Sequence, residues 1–296
     1  MKIGIPRSMY YYYFDDLWIN FFKFLKIDVI ISPKTNKEIL DLGIKYSSDE
    51  MCLSMKNYIG HIAYLKDKCD YILVPRIDNY GRDNQTCTNF LASYDIINNL
   101  FNVKLLNYNI NLLKSETELR GFIEMGKMLG INKSKSKKAY KYSKLSYYNN
   151  KNKKILNNLK KLKSTRKKVL LVGHPYNMYD ELIGIPIIKM LENLNIEIIY
   201  SDLFFDKDES KIYSKDLYWK YSKENISSIS KCIEKIDGII FISTFPCGLD
   251  SLVNELVMRK LNKPYINIII DDNTISGGIE TRLESFIDII SLNTYN

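Results

Sequence analysis

Residues 1–32, MKIGIPRSMYYYYFDDLWINFFKFLKIDVIIS, decide the fold. An apolar, β-branched run at Lys2–Pro6 is followed by apolar residues at helical spacing from Tyr11 to Leu25. A second β-branched run then begins at Asp28 and ends at Ser32. Strand, helix, strand in that order is how a parallel sheet starts, because parallel neighbours need a crossover and a helix is its usual form. Working outward, the spacing predicts a short helix at Asn36–Leu42 and a longer one over Glu50–Leu65, with Ser48 or Asp49 as its N-cap. Strand Tyr71–Pro75, a polar loop, helix Asn89–Leu100 and strand Lys104–Asn107 complete the first half.

The β-rich runs stop between about Lys114 and Lys168. That segment is rich in Lys, Asn and Ser and has no Pro, which fits long helices better than a flexible linker. The alternation then resumes. Strand Val169–Gly173 leads to helix Glu181–Leu194, which carries Pro186, and to strand Glu197–Ser201. A helical stretch at Trp219–Ile236, strand Gly238–Ser243, helix Leu249–Leu261, strand Tyr265–Ile270 and helix Ile279–Ile290 follow. The expected fold class is α/β: two Rossmann-like, doubly wound domains with mainly parallel sheets, joined by a helical connector. The boundaries are an N-terminal domain over 1–113, a connector over 114–168 and a C-terminal domain over 169–296. No short-period repeat stands out.

The net charge is +9, yet Lys133–Lys168 alone holds 15 Lys or Arg and no Asp or Glu, leaving −6 for the rest. A basic character confined to one segment, without a zinc finger, an aromatic RNP motif or a homeodomain pattern, argues against nucleic acid. It reads as a solvated helical connector, or as a docking surface for an acidic partner or an anionic substrate. No apolar run approaches the roughly 20 residues needed to span a bilayer. The chain enters a strand-like segment at Lys2 without the apolar core or cleavage site of a signal peptide, so a cytoplasmic protein is expected. Neither G-x-G-x-x-G after a strand nor a P-loop occurs, nor H-E-x-x-H, G-x-S-x-G or C-x-x-C. With only His61 and His174, chemistry that needs several imidazoles is excluded.

Five cysteines remain, an odd count that does not suit a disulfide framework. Cys69 lies just before an apolar strand, and Cys232 lies among Ile226, Ile229, Ile233 and Ile236 at helical spacing. Both read as packing. Cys52, Cys87 and Cys247 each fall near a predicted helix start, where unpaired N–H groups and the helix dipole favour a thiolate. Three such thiolates suit an iron–sulfur cluster with one open iron. On spacing alone, zinc held by three Cys and a fourth ligand such as His174 fits as well.

These residues carry a resemblance. Ile3-Gly4-Ile5-Pro6-Arg7, Asp49-Glu50-Met51-Cys52-Leu53-Ser54-Met55-Lys56, Gly60-His61 and Tyr71-Ile72-Leu73-Val74-Pro75-Arg76 match in the first half, with Cys87. In the second half the matches are Gly173-His174-Pro175-Tyr176-Asn177-Met178-Tyr179-Asp180, Phe245-Pro246-Cys247-Gly248-Leu249-Asp250-Ser251 and Thr281-Arg282-Leu283-Glu284-Ser285-Phe286. The sequence resembles the stand-alone acyl-CoA dehydratase activase-related proteins, the DUF2229 and 2-hydroxyglutaryl-CoA dehydratase D-component-like family. The family pattern has Pro after the second cysteine; here Thr88 follows Cys87.

The resemblance implies a [4Fe–4S] cluster in the cleft between the two domains, with Cys52, Cys87 and Cys247 as its metal ligands. It implies low-potential, electron-driven dehydration or reduction of an acyl-CoA or small substrate, in which hydroxide leaves through a ketyl radical. His174 is the candidate catalytic group, donating a proton or a hydrogen bond near Cys247, or else a histidine that holds a loop shut. The partners implied are an ATP-dependent activator/reductase of the BadF-like ATPase kind and a second dehydratase-like subunit or a second copy. Arg7, Lys56, Arg76 and Arg282, and the Ser276-Gly277-Gly278 turn, are candidates for binding substrate phosphate or carboxylate. Two other readings stand beside this one: an electron-transfer or cluster-assembly partner without a substrate pocket, and a metal-free binding protein.

Overall fold

The structure, a computed structural model, describes residues 1–205, 208–272 and 278–292. The chain divides into two compact units, Met1–Lys151 with Tyr218–Lys220, and Asn152–Leu217 with Tyr221–Asn296. In chain order the first half forms β1 (Lys2–Ile5), α1 (Tyr11–Leu25), β2 (Asp28–Ile31), α2 (Lys37–Tyr46), α3 (Leu53–Leu65), β3 (Tyr71–Leu73) and β4 (Arg76–Asn79). It continues with α4 (Thr88–Leu100), β5 (Leu105–Leu106), β6 (Asn109–Asn111), α5 (Glu118–Met128) and α6 (Lys133–Lys161). The second half forms β7 (Lys168–Val172), α7 (Pro175–Met178), α8 (Gly184–Asn193), β8 (Glu197–Tyr200), α9 (Lys220–Cys232), β9 (Gly238–Thr244), α10 (Gly248–Met258), β10 (Tyr265–Ile270) and α11 (Ile279–Leu292).

Every strand pair is parallel. The first sheet runs β2-β1-β3-β5 and the second, read from its other edge, runs β8-β7-β9-β10. Both therefore follow one scheme, with the first strand of each half flanked by the second and the third. The strand order reverses between β1 and β3, and again between β7 and β9. Those are the topological switch points at whose carboxyl ends α/β sheets bind ligands. The expected mixed α/β fold with doubly wound parallel sheets is what the chain adopts. Among the described residues no helix is long and apolar enough to cross a membrane.

Local chemistry explains the elements. Phe14, Leu17, Trp18, Phe21, Phe22 and Leu25 repeat at steps of three and four and are all buried, so α1 lays one apolar stripe on the sheet. The seven residues of β9 are buried without exception, as expected of a strand covered on both faces. Three readings need correction. The α3 helix does not start at Ser48 or Asp49: Ser48 accepts the Met51 N–H in a turn of its own, and Cys52, extended at φ −62° and ψ 147°, is the true cap. The polar loop after β3 contains β4, which pairs with β6 and carries the β3–β5 ladder past Pro75, with Arg76 N–H donating to Tyr108 O at 2.9 Å. Helix Glu181–Leu194 is shorter and starts at Gly184, where a Cβ would stand 2.1 Å from the Met178 carbonyl oxygen.

Helix α3 is buried almost all round. It meets α2 backbone to backbone: a Cβ at Gly60 would lie 2.0 Å from the Ile39 carbonyl oxygen, and one at Gly43 2.1 Å from that of Lys56. His61 on α3 is fully buried, with Nε2 3.1 Å from the Thr35 hydroxyl. Burial, helped by the charge of Arg7, holds its imidazole down at about 3 from an ordinary 6.5.

Two outcomes follow. Gly60→Ala should lower the unfolding free energy by ~1–3 kcal/mol in urea titrations, because two backbones must part. Gly248→Ala, where a Cβ meets nothing within 4 Å, should be neutral or slightly stabilising; equal effects would contradict the packing. The second outcome concerns acid. Between about 6.5 and about 3 the unfolded chain binds a proton at His61 that the folded chain refuses, so stability falls as pH falls through that window. The slope from this one group is at most ~1.4 kcal/mol per pH unit. His61→Gln should flatten the acid limb of stability against pH, and an unchanged limb would show that folded His61 takes up the proton.

Candidate functional site

Cys52 and Cys87 occupy the same kind of position in unit 1. Each is the N-cap of a 13-residue helix, α3 and α4, with backbone angles of −62°, 147° and −60°, 147°. The Cys52 carbonyl accepts the Met55 and Lys56 N–H groups at 2.9 and 3.0 Å, and the Cys87 carbonyl accepts Phe90 N–H at 2.9 Å. Neither thiol is used to cap its own helix. The side-chain amide of Asn89, two residues past Cys87, donates to Cys52 Sγ at 3.5 Å, so the first turn of α4 lies against Cys52. Near Cys87 stands Tyr10, whose hydroxyl donates to the Phe90 carbonyl at 2.5 Å and lies 2.6 Å from Ser93 Oγ. Burial pushes the Tyr10 hydroxyl well above its ordinary range, and Tyr58 and then Cys87 add to this.

Thr88 follows Cys87 where the family pattern has proline, and the loop before Cys87 is held by its own contacts. Gln85 pairs with a segment from far along the chain: its N–H donates to Tyr218 O at 2.8 Å, and its carbonyl accepts Lys220 N–H at 2.9 Å. The Thr86 hydroxyl donates to Ile77 O at 2.6 Å, and Asn79 Oδ1 accepts the Gly81 N–H at 3.1 Å. Asn79 and Asp78 are tied in turn to the Asn111 side chain, at 2.9 and 2.5 Å.

In unit 2, Cys247 is the N-cap of α10, after a cis Phe245–Pro246 peptide. Its Sγ accepts the Asp250 N–H at 3.4 Å. The Asp250 carboxylate lies 3.0 Å from His174 Nε2, both side chains being buried. His174 caps the short α7 and stacks on Tyr176, with centroids 4.9 Å apart and planes 8° off parallel. Asp250 thus organises Cys247 through its backbone and His174 through its carboxylate. Its other oxygen, Oδ2, is buried with no hydrogen-bond partner among the described residues. Sequence reasoning passed over Asp250; an acidic residue three places after a candidate N-cap was the available signal.

Cys87 and Cys247 are topological equivalents, since each caps the helix that follows the third strand of its sheet. The remaining cysteines differ. Cys232 is buried, donates to Ser228 O at 3.2 Å, and burial pushes its thiol up to about 12. Cys69 donates to Leu65 O at 3.4 Å and fills the space beside Gly4. None of the five forms a disulfide.

The structure brings Cys52 beside the start of α4, and His174 together with Asp250 and Cys247. Among the described residues, no group of three or more His, Cys, Asp or Glu side chains is placed to hold a metal ion. Taken one by one, Cys52, Cys87 and Cys247 each offer a sulfur donor on a helix cap beside backbone N–H groups, the donor type that iron–sulfur groups take. Of the candidate anion-binding residues, Arg76 is paired with Asp95 at 2.6 Å, and Arg282 donates to the Asn267 carbonyl at 2.8 Å. Lys56 is buried, and Arg7 lies over the Tyr11 ring at 5.6 Å. Ser276 and Gly277 lie outside the described residues.

Comparison with known proteins gives one informative match. The family model described as CoA enzyme activase uncharacterised domain (DUF2229) matches residues 2–204, a stretch that holds Cys52, Cys87 and His174 and stops short of Cys247. No curated protein matches the chain. Among solved structures, the SBP FpvC from Pseudomonas aeruginosa in complex with Mn²⁺ is 11% identical, with a TM-score of 0.32 over 98% of this chain and 97% of its own. ZnuA is 10% identical, with a TM-score of 0.31 over 98% of each chain. A Zn(II)-bound mutant variant of AdcAII from Streptococcus pneumoniae is 12% identical, with a TM-score of 0.29 over 98% of this chain and 97% of its own. Scores this low carry no argument about this protein. The family match spans more than half of the 296 residues, and the chain therefore belongs to the DUF2229 family of CoA enzyme activase-related proteins.

Proposed function

We propose that this chain holds a [4Fe–4S] cluster through Cys52, Cys87 and Cys247 and serves the low-potential, electron-driven dehydration or reduction of an acyl-CoA or other small substrate. The observation that carries the reading is the contrast among the cysteines. Three cap helices with extended backbones, while Cys69 and Cys232 are spent on packing. Family membership supports an acyl-CoA-related, activase-like role and an acyl-CoA dehydratase as partner. An ATP-dependent activator is the natural electron source for such a pair. The reducing cytoplasm, where thiols stay out of disulfides, is the fitting compartment.

When bound, such a cluster supplies a low-potential electron and an iron with an open position. The chain's own residues do the rest. Helix N-termini at the three caps favour sulfur in its thiolate form. Asn89 and the Asp250 N–H each donate to a cysteine sulfur, Cys52 and Cys247 respectively, a contact that tunes sulfur ligands. Asp250 fixes the ring orientation of His174, which leaves the imidazole aligned as a proton or hydrogen-bond donor beside the Cys247 helix.

Variants test the assignment. After anaerobic purification, the unmodified chain should be brown with broad visible absorption. Cys52→Ala, Cys87→Ala and Cys247→Ala should each lose most of that absorption and of the bound iron, while Cys69→Ala and Cys232→Ala keep both. Colour retained in the first three variants would remove those residues from the ligand set.

A further inference from the structure

Helix α3 carries a polar face in the interior of unit 1. At 100° per residue, Ser54, Asn57, Tyr58 and His61 fall within about 100° of arc. Gly60 and Lys56, about 60° and 100° round from Asn57, are the positions pressed on α2. The polar face therefore turns away from α2 and toward the carboxyl end of the first sheet, where Tyr58 meets the Tyr10 ring at 5.7 Å and His61 meets Thr35.

Asn57 and Tyr58 are 1% exposed and His61 is 0%. Asn57 Oδ1 and Nδ2, the Tyr58 hydroxyl and His61 Nδ1 are all buried with no hydrogen-bond partner among the described residues, and so is Nε of Arg7. Arg7 is the second residue after β1, at the switch point of the sheet, and its charge is felt at His61. Its guanidinium pairs with no carboxylate among the described residues. More than nine in ten buried polar groups in folded proteins are paired, so five such atoms around one helix face and one strand end mark a place built for something else.

The chemistry of the set narrows what that is. One fixed cation, faced by no anion, calls for a single negative charge, and the planar fork of arginine matches a carboxylate. A phosphate dianion would lack a second cation. Asn57 Oδ1 can only accept, so the ligand must also carry a donor. We propose that unit 1 binds a small monocarboxylate bearing a hydrogen-bond donor, between the end of β1 and the polar face of α3, with Arg7 on the carboxylate and Asn57, Tyr58 and His61 reading the rest. This site shares no residue with the proposed cysteine ligands, so its test is independent of theirs.

Calorimetric titration of the full chain at constant ionic strength, with glycolate, acetate and inorganic phosphate as probes, decides it. Glycolate should bind more tightly than acetate by about fivefold, the worth of one hydrogen bond, and more tightly than phosphate. Arg7→Gln should weaken glycolate by about tenfold or more. Asn57→Leu should erase the preference for glycolate over acetate while leaving the unfolding midpoint equal or higher. Asn57→Asp, which adds a charge against the carboxylate, should abolish binding if the leucine variant does not fold. No heat from glycolate with the unmodified chain would mean that water alone fills the place and would overturn the proposal. Tighter binding of phosphate, or unchanged binding in Arg7→Gln, would overturn it equally.

Discussion

Parallel strand pairing is the constraint on which the molecule depends. A parallel neighbour can be reached only by a crossover, and each crossover here is helical, so helix starts collect at the carboxyl edge of each sheet. Both sheets follow one strand order, and the same positions recur in each. Arg7 is the second residue after β1 and His174 the second after β7; Cys87 and Cys247 each cap the helix after the third strand. The residues with chemistry to offer thus stand where the topology concentrates helix dipoles and strand ends.

Regular elements were legible wherever burial imposes one period. Helix Tyr11–Leu25 and strand Tyr265–Ile270 were readable to the residue, because apolar side chains at steps of three and four, or a short run dominated by isoleucine, have few other uses. The misreadings come from local signals overruled by neighbours. Ser48 and Asp49 are good N-cap residues, yet that stretch closes a turn and leaves the cap to Cys52. Strands β4 and β6 are too rich in Asn and charge to look like strands, and are held by side-chain amides that pattern reading does not register.

The site was partly legible for the same reasons. Flanking residues separated Cys52, Cys87 and Cys247 from the two cysteines that pack, because a thiol inside an apolar helical stripe has no role but filling space. What no pattern conveyed was partnership. That Asp250 joins Cys247 to His174, or that Asn89 reaches Cys52, depends on side chains meeting across elements. The polar face of α3 was equally hidden: that Ser54, Asn57, Tyr58 and His61 face the interior shows only in their burial.

Cys52, Cys87 and Cys247, as proposed above, would hold iron and sulfide together. The most direct test of this proposal is the iron and acid-labile sulfide content of the full chain isolated without oxygen. About four of each per chain are expected. Zinc in place of iron, or iron without sulfide, would contradict it.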